Sequence, residues 1–272
     1  MTPSATPIAA TEANATEGAR FKYGRIGGVH GSVERILTIR TDLKGMSVID
    51  LACGDGRTTH LLRSLGAIVK PYDLFPELCL LDDRPESLDL QRKTAIPDEA
   101  ADMVVLQEVI EHLPNQLFAL QEIFRILKPG GEALITTPSR SSLVSKFSYL
   151  CFESETLKVP PCGPLESVWM QDRNSDKQYY GHLWLVGIQQ LRTLAMLAGF
   201  KSLRIKRSNV SRSSMLLMIV FYPIVVLISL RALLRGYRSA TTAIRRDRLE
   251  QFKLNVNPIM LTNKFLIAVL RK

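Results

Sequence analysis

The segment Val48-Ile49-Asp50-Leu51-Ala52-Cys53-Gly54-Asp55-Gly56 constrains this chain more than any other. An apolar run ends in an acid and drops at once into a glycine-rich turn, and a helix-compatible stretch, Thr58 to Leu65, follows. A buried strand, a tight turn and a helix N-terminus in that order build a nucleotide-binding corner in an α/β sheet. Gly54 and Gly56 allow the chain to turn with positive φ and allow a ligand to touch backbone. A dinucleotide fingerprint places Gly or Ala at its third conserved position. Thr59 stands there instead, and Asp50 precedes Gly54 by four residues.

The next strand reads Ile68-Val69-Lys70-Pro71-Tyr72 and ends in Asp73, with Leu74 after it. An acid at a strand end about 20 residues past the glycines can accept both hydroxyls of a ribose. A solvated turn aspartate is the competing reading. Pro71 removes one ladder donor from this strand. Further on come Asp89-Leu90, Ile96-Pro97 and the apolar Met103-Val104-Val105-Leu106, which runs into Gln107-Glu108-Val109-Ile110-Glu111-His112-Leu113-Pro114. Leu117, Leu120, Phe124 and Leu127 then repeat at helical spacing. Pro129, Gly130 and Gly131 stop that helix, and Glu132 to Pro138 reads as a fifth strand.

The block Asp50-Leu51-Ala52-Cys53-Gly54-Asp55-Gly56 resembles motif I of the class I S-adenosyl-L-methionine (SAM)-dependent methyltransferases. The blocks around Asp73, Asp89, Glu108-Val109-Ile110-Glu111-His112 and Leu127-Lys128-Pro129-Gly130-Gly131 resemble the family's later ones, in the family's order, over roughly residues 45 to 140. The resemblance implies a Rossmann-like seven-stranded, mostly parallel sheet with helices on both faces and an antiparallel last strand. It also implies a cofactor site. Asp50, Ala52, Cys53, Gly54 and Gly56 would meet the methionine part and the ribose, and Asp73 with Leu74 the ribose. Asp89 would face the adenine amino group and the backbone of Leu90 a ring nitrogen. Gln107 and Glu108 would open onto the ligand crevice. His112 has a structural reading, pairing with a loop or helix end, beside a catalytic one.

The four cysteines, Cys53, Cys79, Cys151 and Cys162, are scattered without a Cys-x-x-Cys pair, so no metal site is expected and a reducing compartment fits. Residues 1–18 lack periodicity and a signal-peptide pattern and read as a disordered tail. Charge is asymmetric. Residues 201–272 hold 15 Lys and Arg against Asp247 and Glu250, a net of +13. Subtraction from the totals of 35 and 26 leaves 20 basic and 24 acidic residues in 1–200, a net of −4.

Between Arg212 and Arg231 lie 18 uncharged residues, of which eleven are Leu, Ile, Val or Phe. That length reaches the threshold for a transmembrane candidate. On an insertion scale those eleven side chains favour the bilayer by roughly 3 to 6 kcal/mol. A buried core helix is the alternative. Lys201 to Lys206 and Lys264 to Lys272 read as the last two strands, which pair in the family, so both ends of the apolar segment belong on one side of a bilayer. Arginines flank both ends, and positive flanks stay cytoplasmic. With Pro223 near its middle, the segment is expected as a re-entrant hairpin or an in-plane anchor. The organisation is therefore 1–18 tail, 19–210 methyltransferase domain with an acceptor lid at 138–185, 211–250 membrane-associating segment with basic flanks, and 251–272 return to the sheet.

The lid segment is rich in aromatics, among them Phe147, Tyr149, Trp169 and Tyr180, which suit a ring or sugar acceptor or simply pack the insertion. His182 precedes a helix ending in Ala198-Gly199-Phe200, and the family places a histidine of this segment near the crevice. A histidine titrating near neutrality suits removal of a hydroxyl proton, so His182 is the candidate base, against a structural histidine. The leading expectation is an O-methyltransferase acting on a glycan, a lipid-linked sugar or a quinone-like or other lipid at the cytoplasmic face of a membrane, the inner membrane in a bacterium. A soluble sugar nucleotide or peptide acceptor and a non-catalytic SAM-fold binding protein are the alternatives. A nucleic-acid partner is not expected, because the basic residues flank an apolar run.

Overall fold

The structure is a computed structural model, and it describes Phe21 and residues 28–156, 163, 168–171, 178–235, 237 and 240–272. The expected tail at 1–18 and the side chains of Trp169 and Tyr180 lie outside the described residues. After α1 (Val29–Thr38) the chain alternates strand and helix: β1 (Ser47–Leu51), α2 (Arg57–Ser64), β2 (Ile68–Asp73), the short β3 (Glu86–Ser87), β4 (Ala101–Gln107), α3 (Gln116–Ile126) and β5 (Leu127–Pro138). Then follow α4 (Leu143–Phe152), a separate hairpin of β6 (Val168–Gln171) and β7 (Gln178–Tyr180), α5 (Ile188–Ala198) and β8 (Ser202–Lys206). Three helices, α6 (Arg212–Leu234), α7 (Thr242–Asn255) and α8 (Pro258–Thr262), precede the last strand, β9 (Phe265–Arg271).

The sheet has seven strands in the order β3-β2-β1-β4-β5-β9-β8. All neighbours are parallel except β9, which runs antiparallel to both β5 and β8. The expected fold class is therefore present, including the inserted last strand. Helices cover both faces, so the central strands are apolar on both. In β4, Val104 and Leu106 join the core beneath α3 and α5, while Met103 and Val105 join the core beneath α1 and α2. Strand β9 divides the same way, with Leu266, Ala268 and Leu270 on one side and Ile267 and Val269 on the other.

Helix α6 runs unbroken through Pro223. At its start Ser211 N–H donates to Thr262 O at 2.8 Å, beside a bridge between Val210 and Asn263. After it the chain folds back, and α7 docks on α5: Arg192 pairs with Asp247, and Gln189 Nε2 donates to Gln251 O at 2.8 Å. Along α6, Ser214, Leu217, Met218, Phe221, Tyr222, Val225, Val226, Ser229 and Leu233 are shielded, at a spacing of three and four. That stripe lies against α4, α7 and α8. The opposite face is apolar and open, with Ile219 at 77% exposure, Leu216 at 69% and Leu227 at 65%. The helix thus lies along the body of the protein, with one apolar face covered and one bare.

Candidate active site

The crevice opens at the carboxyl ends of β1, β2 and β4, where parallel sheets of this kind take ligands. Leaving β1, the turn needs left-handed backbone at Ala52, Gly54 and Gly56. Ala52 and Cys53 N–H both donate to Tyr72 O, at 2.8 and 3.0 Å, which ties the turn to β2. Asp73 completes the tie. Its Oδ2 accepts the Gly54 N–H at 2.7 Å and its Oδ1 accepts the Phe75 N–H at 2.8 Å. The two glycines do different work. A Cβ on Gly56 would come within 2.5 Å of Leu81 Cγ, whereas a Cβ on Gly54 would meet nothing within 4 Å. Gly54 faces open space because it lines a cavity of about 250 Å³.

Of the residues expected at a cofactor site, Ala52, Gly54, Asp73, Leu74, Asp89, Leu90, Gln107 and Glu108 line this cavity, and His112 lines it too. Asp50, Cys53 and Gly56 do not; Asp50 is buried under the turn, and Cys53 and Gly56 are buried parts of the turn itself. Asp50 is fully buried, its Oδ2 accepts the Thr59 hydroxyl at 2.7 Å, and its Oδ1 has no partner. Burial pushes this carboxyl up to about 7. Burial likewise pushes the Cys53 thiol well above the ordinary range, which leaves it unreactive. Asp89 is oriented by the Gln91 N–H, which donates to its Oδ1 at 2.9 Å. Gln107 donates to Thr58 Oγ1 at 2.8 Å, while its own Oε1 is buried without a partner. Phe75, Leu78, Leu88 and Val109 complete an apolar wall that sequence reasoning missed. Only the fold brings these side chains to the wall, since no motif spacing marks them.

At the far end of the crevice, two acids and two imidazoles converge. Glu108 takes a left-handed turn, φ 51°, immediately after β4. Its Oε1 accepts the Thr136 hydroxyl at 2.8 Å, and burial raises it to about 7. Glu111 is fully buried, and neither carboxyl oxygen has a hydrogen bond of ordinary geometry. Burial, then the neighbouring Glu108, raise it to about 8, while Thr137 is close enough to oppose this slightly. The rings of His112 and His182 lie 5.1 Å apart. His182 reaches this place because Trp184 N–H donates to Glu111 O at 3.1 Å, pinning its segment to the crevice. Its Nδ1 lies 3.2 Å from Glu155 Oε2, and that carboxylate raises the imidazole above its usual value against the opposing effect of burial. Glu111, His112 and His182 each offer one ligand atom, mutually within 4.8 Å, a set that could hold a divalent ion.

The donors and shape suit SAM. Gly54 leaves backbone open to the cavity, Gln107 holds an orphaned polar atom beside it, and a carboxylate has about four acceptor sites, of which Asp73 uses two.

Residues 25–205 match the family model described as "Methyltransferase domain". Over 115 residues the chain is 33% identical to the ubiquinone biosynthesis O-methyltransferase of Xanthomonas oryzae pv. oryzae, covering 39% of this chain and 48% of that protein. The mitochondrial ubiquinone biosynthesis O-methyltransferase of Mus musculus is 33% identical over 114 residues, 37% of this chain and 31% of that one. The chain thus spans half or less of the length of the curated relatives it matches. Among solved structures, a SAM-dependent methyltransferase from Archaeoglobus fulgidus superposes with a TM-score of 0.52 at 16% identity, covering 90% of this chain and 95% of that one. The phosphoethanolamine N-methyltransferase 2 of Haemonchus contortus, solved with S-adenosylhomocysteine, superposes with a TM-score of 0.50 at 16% identity, covering 99% and 59%. With that fold, and a family model matched over most of its length, the chain belongs to the methyltransferase domain family, whose members use S-adenosyl-L-methionine.

Proposed function

We propose that this chain is a SAM-dependent O-methyltransferase whose acceptor is a lipid-like or lipid-linked hydroxyl compound at the cytoplasmic face of a membrane. The observation that carries the reading is a cavity at the strand ends with titratable groups in and beside its wall. This cavity of about 250 Å³ has Glu108 and His112 in its wall, and Glu111 and His182 stand next to His112. In this reading Asp73 accepts the ribose hydroxyls, the Gly54 backbone lies against the methionine part, and Asp89 with Leu90 meets the adenine. Asp50 supports the turn from below. When bound, SAM supplies a sulfonium-activated methyl group. The residues of the chain position the acceptor hydroxyl and take its proton. His182 is the candidate base, and Glu155, 3.2 Å from its Nδ1, orients the imidazole and is the nearest group that can share the proton.

The bare face of α6 supports the membrane placement, as do the arginines at both its ends. The relatives named for ubiquinone biosynthesis support a quinone-type acceptor, with a lipid-linked sugar as the other candidate of the same class. A second reading of the proton-handling cluster rests on the donor atoms of Glu111, His112 and His182, which lie within 4.8 Å of one another. A divalent ion there would lower the pKa of an acceptor hydroxyl without a base. The domain plan is proposed as expected, with the anchor at 211–250 and the return at 251–272.

Labelled-methyl transfer tests the reading. Purified protein and methyl-tritiated SAM are mixed with membranes of the source cell and the products partitioned. Label in the organic phase, lost in Asp73→Ala, is the expected result. Label confined to the aqueous phase would move the acceptor to a soluble sugar nucleotide or peptide. SAM binding without any transfer would favour a non-catalytic binding protein. Loss of turnover after chelation, restored by added metal, would select the metal reading over the free base.

A further inference from the structure

A second cavity, of about 420 Å³, lies between the start of α4, the start of α5, the end of α7 and α8. Two cations line it, Arg140 and Lys146, and no carboxylate does. Arg140 stacks its guanidinium 4.6 Å from the centre of the Tyr149 ring, and one of its nitrogens lies 3.5 Å from Leu185 O. Those contacts fix its direction and leave most of its donors uncommitted. Lys146 remains accessible to solvent, yet its ammonium sits low enough among protein atoms that burial holds it below the ordinary lysine value. Among the described residues neither cation meets a carboxylate. Both side chains keep contact with solvent, and together they give the cavity a positively charged wall without a carboxylate, which an anion can meet.

The surroundings say what carries the anion. Helix α4, which bears Lys146, also packs on the apolar helix: Phe147 lies 6.1 Å from Phe221, and Val144 N–H donates to Ser214 Oγ at 3.3 Å. On the other side, one short stretch of chain joins the cavity to the catalytic crevice. His182 stands beside His112, Trp184 is bonded to Glu111, and Gly187 lines the cavity. The cationic cavity thus shares α4 with the exposed apolar helix and the 182–187 stretch with the crevice. A lipid with an apolar tail and an anionic group would meet matching chemistry on α6 and at this cavity.

We propose that the Arg140–Lys146 cavity binds the phosphate or diphosphate group of a membrane lipid. The proposal rests on the membrane reading above and narrows it to a phosphate-bearing lipid. That phosphate belongs either to the acceptor itself or to a neighbouring phospholipid. Arg140 supplies a planar pair of donors and Lys146 a point charge, a combination suited to phosphate oxygens.

The test uses the full chain in phosphatidylcholine nanodiscs. Inorganic diphosphate is titrated first. Saturable binding is expected, weakened about tenfold by Arg140→Gln and about tenfold by Lys146→Gln, with SAM affinity unchanged as a check on folding. Arg231→Gln, at the end of α6 and away from the cavity, is expected to leave diphosphate affinity unaltered. Nanodiscs doped with polyprenyl diphosphate or with phosphatidic acid then separate the sources. Dependence on Arg140 and Lys146 for the first alone identifies the acceptor's own phosphate, and equal dependence for both identifies a headgroup site. Absent diphosphate binding, or an equal loss in Arg231→Gln, overturns the proposal. Failure of the methyltransferase reading would show separately, as absent methyl transfer with diphosphate binding intact.

Discussion

Asp73 Oδ2 accepts the backbone N–H of Gly54 at 2.7 Å, so the end of β2 holds the glycine turn that leaves β1. Through its other oxygen the same carboxylate holds the backbone of Phe75, also part of the cavity wall. One side chain thus ties together two backbone segments that line the cavity. Asp73→Ala is expected to weaken SAM binding by at least about tenfold and to cost about 1–3 kcal/mol of stability, because two backbone donors lose their acceptor. Calorimetric titration and thermal melts check both, and unchanged SAM affinity would remove Asp73 from the site.

The two turn glycines separate stability from binding. Gly56→Ala places a Cβ against Leu81 at a residue with φ of 89°, and a drop of about 2–4 kcal/mol is expected. Gly54→Ala meets only the mild cost of a left-handed alanine, about 1 kcal/mol, but its methyl enters the cavity. The expected pattern is a large fall in Tm for Gly56→Ala, and a small fall with clearly weakened SAM binding for Gly54→Ala.

Asp50, Glu108 and Glu111 are raised by burial to about 7, 7 and 8. An acid whose folded pKa is raised stabilises the fold while it stays protonated. That contribution is complete below the unfolded value near 4 and is lost as pH rises through the folded value. Stability is therefore expected to decline from about pH 4 to pH 8. Glu111→Gln, which cannot ionise, should flatten the upper part of that decline. Chemical denaturation across pH measures it, and a variant with the slope of the parent protein would contradict the assignment.

Glu155 holds the His182 imidazole above its usual value. A base must be neutral to accept a proton, so kcat/KM should rise with pH through this group. Glu155→Gln is expected to move that limb to lower pH while leaving SAM affinity unchanged. His182→Ala should remove the limb and lower kcat by about 10²–10⁴-fold. A pH profile that neither variant alters would make His182 structural.

On α6, Ile219→Asp and Leu227→Asp change side chains that face away from the body. Each should release the protein from anionic vesicles by tenfold or more, with SAM binding kept, since an aspartate at the centre of a membrane helix costs about 2.5–3.5 kcal/mol. A reporter fused after Arg238 should be reached from the cytoplasmic side alone. Vesicle binding unaffected by both variants would refute the anchor.

The sheet, the glycine turn, Asp73, Asp89 and the acid–imidazole block were all legible in the chain. Each depends on local rules: apolar runs bounded by turns, glycine where φ is positive, an acid at a strand end. The antiparallel last strand was legible only through resemblance, because local pattern carries no strand order. Local rules in the chain set the fold class and most of the wall of the cavity at the strand ends. Packing in three dimensions turns Asp50, Cys53 and Gly56 away from the cavity. It also brought Glu111, His112, His182 and Glu155 together across more than 40 residues of chain. The apolar segment shows the division most plainly. Its composition marks it as membrane-compatible on every side, and only its packing on α4, α7 and α8 covers one face and leaves the other bare. Period and composition are properties of neighbours in sequence, whereas burial and charge pairing depend on neighbours in space.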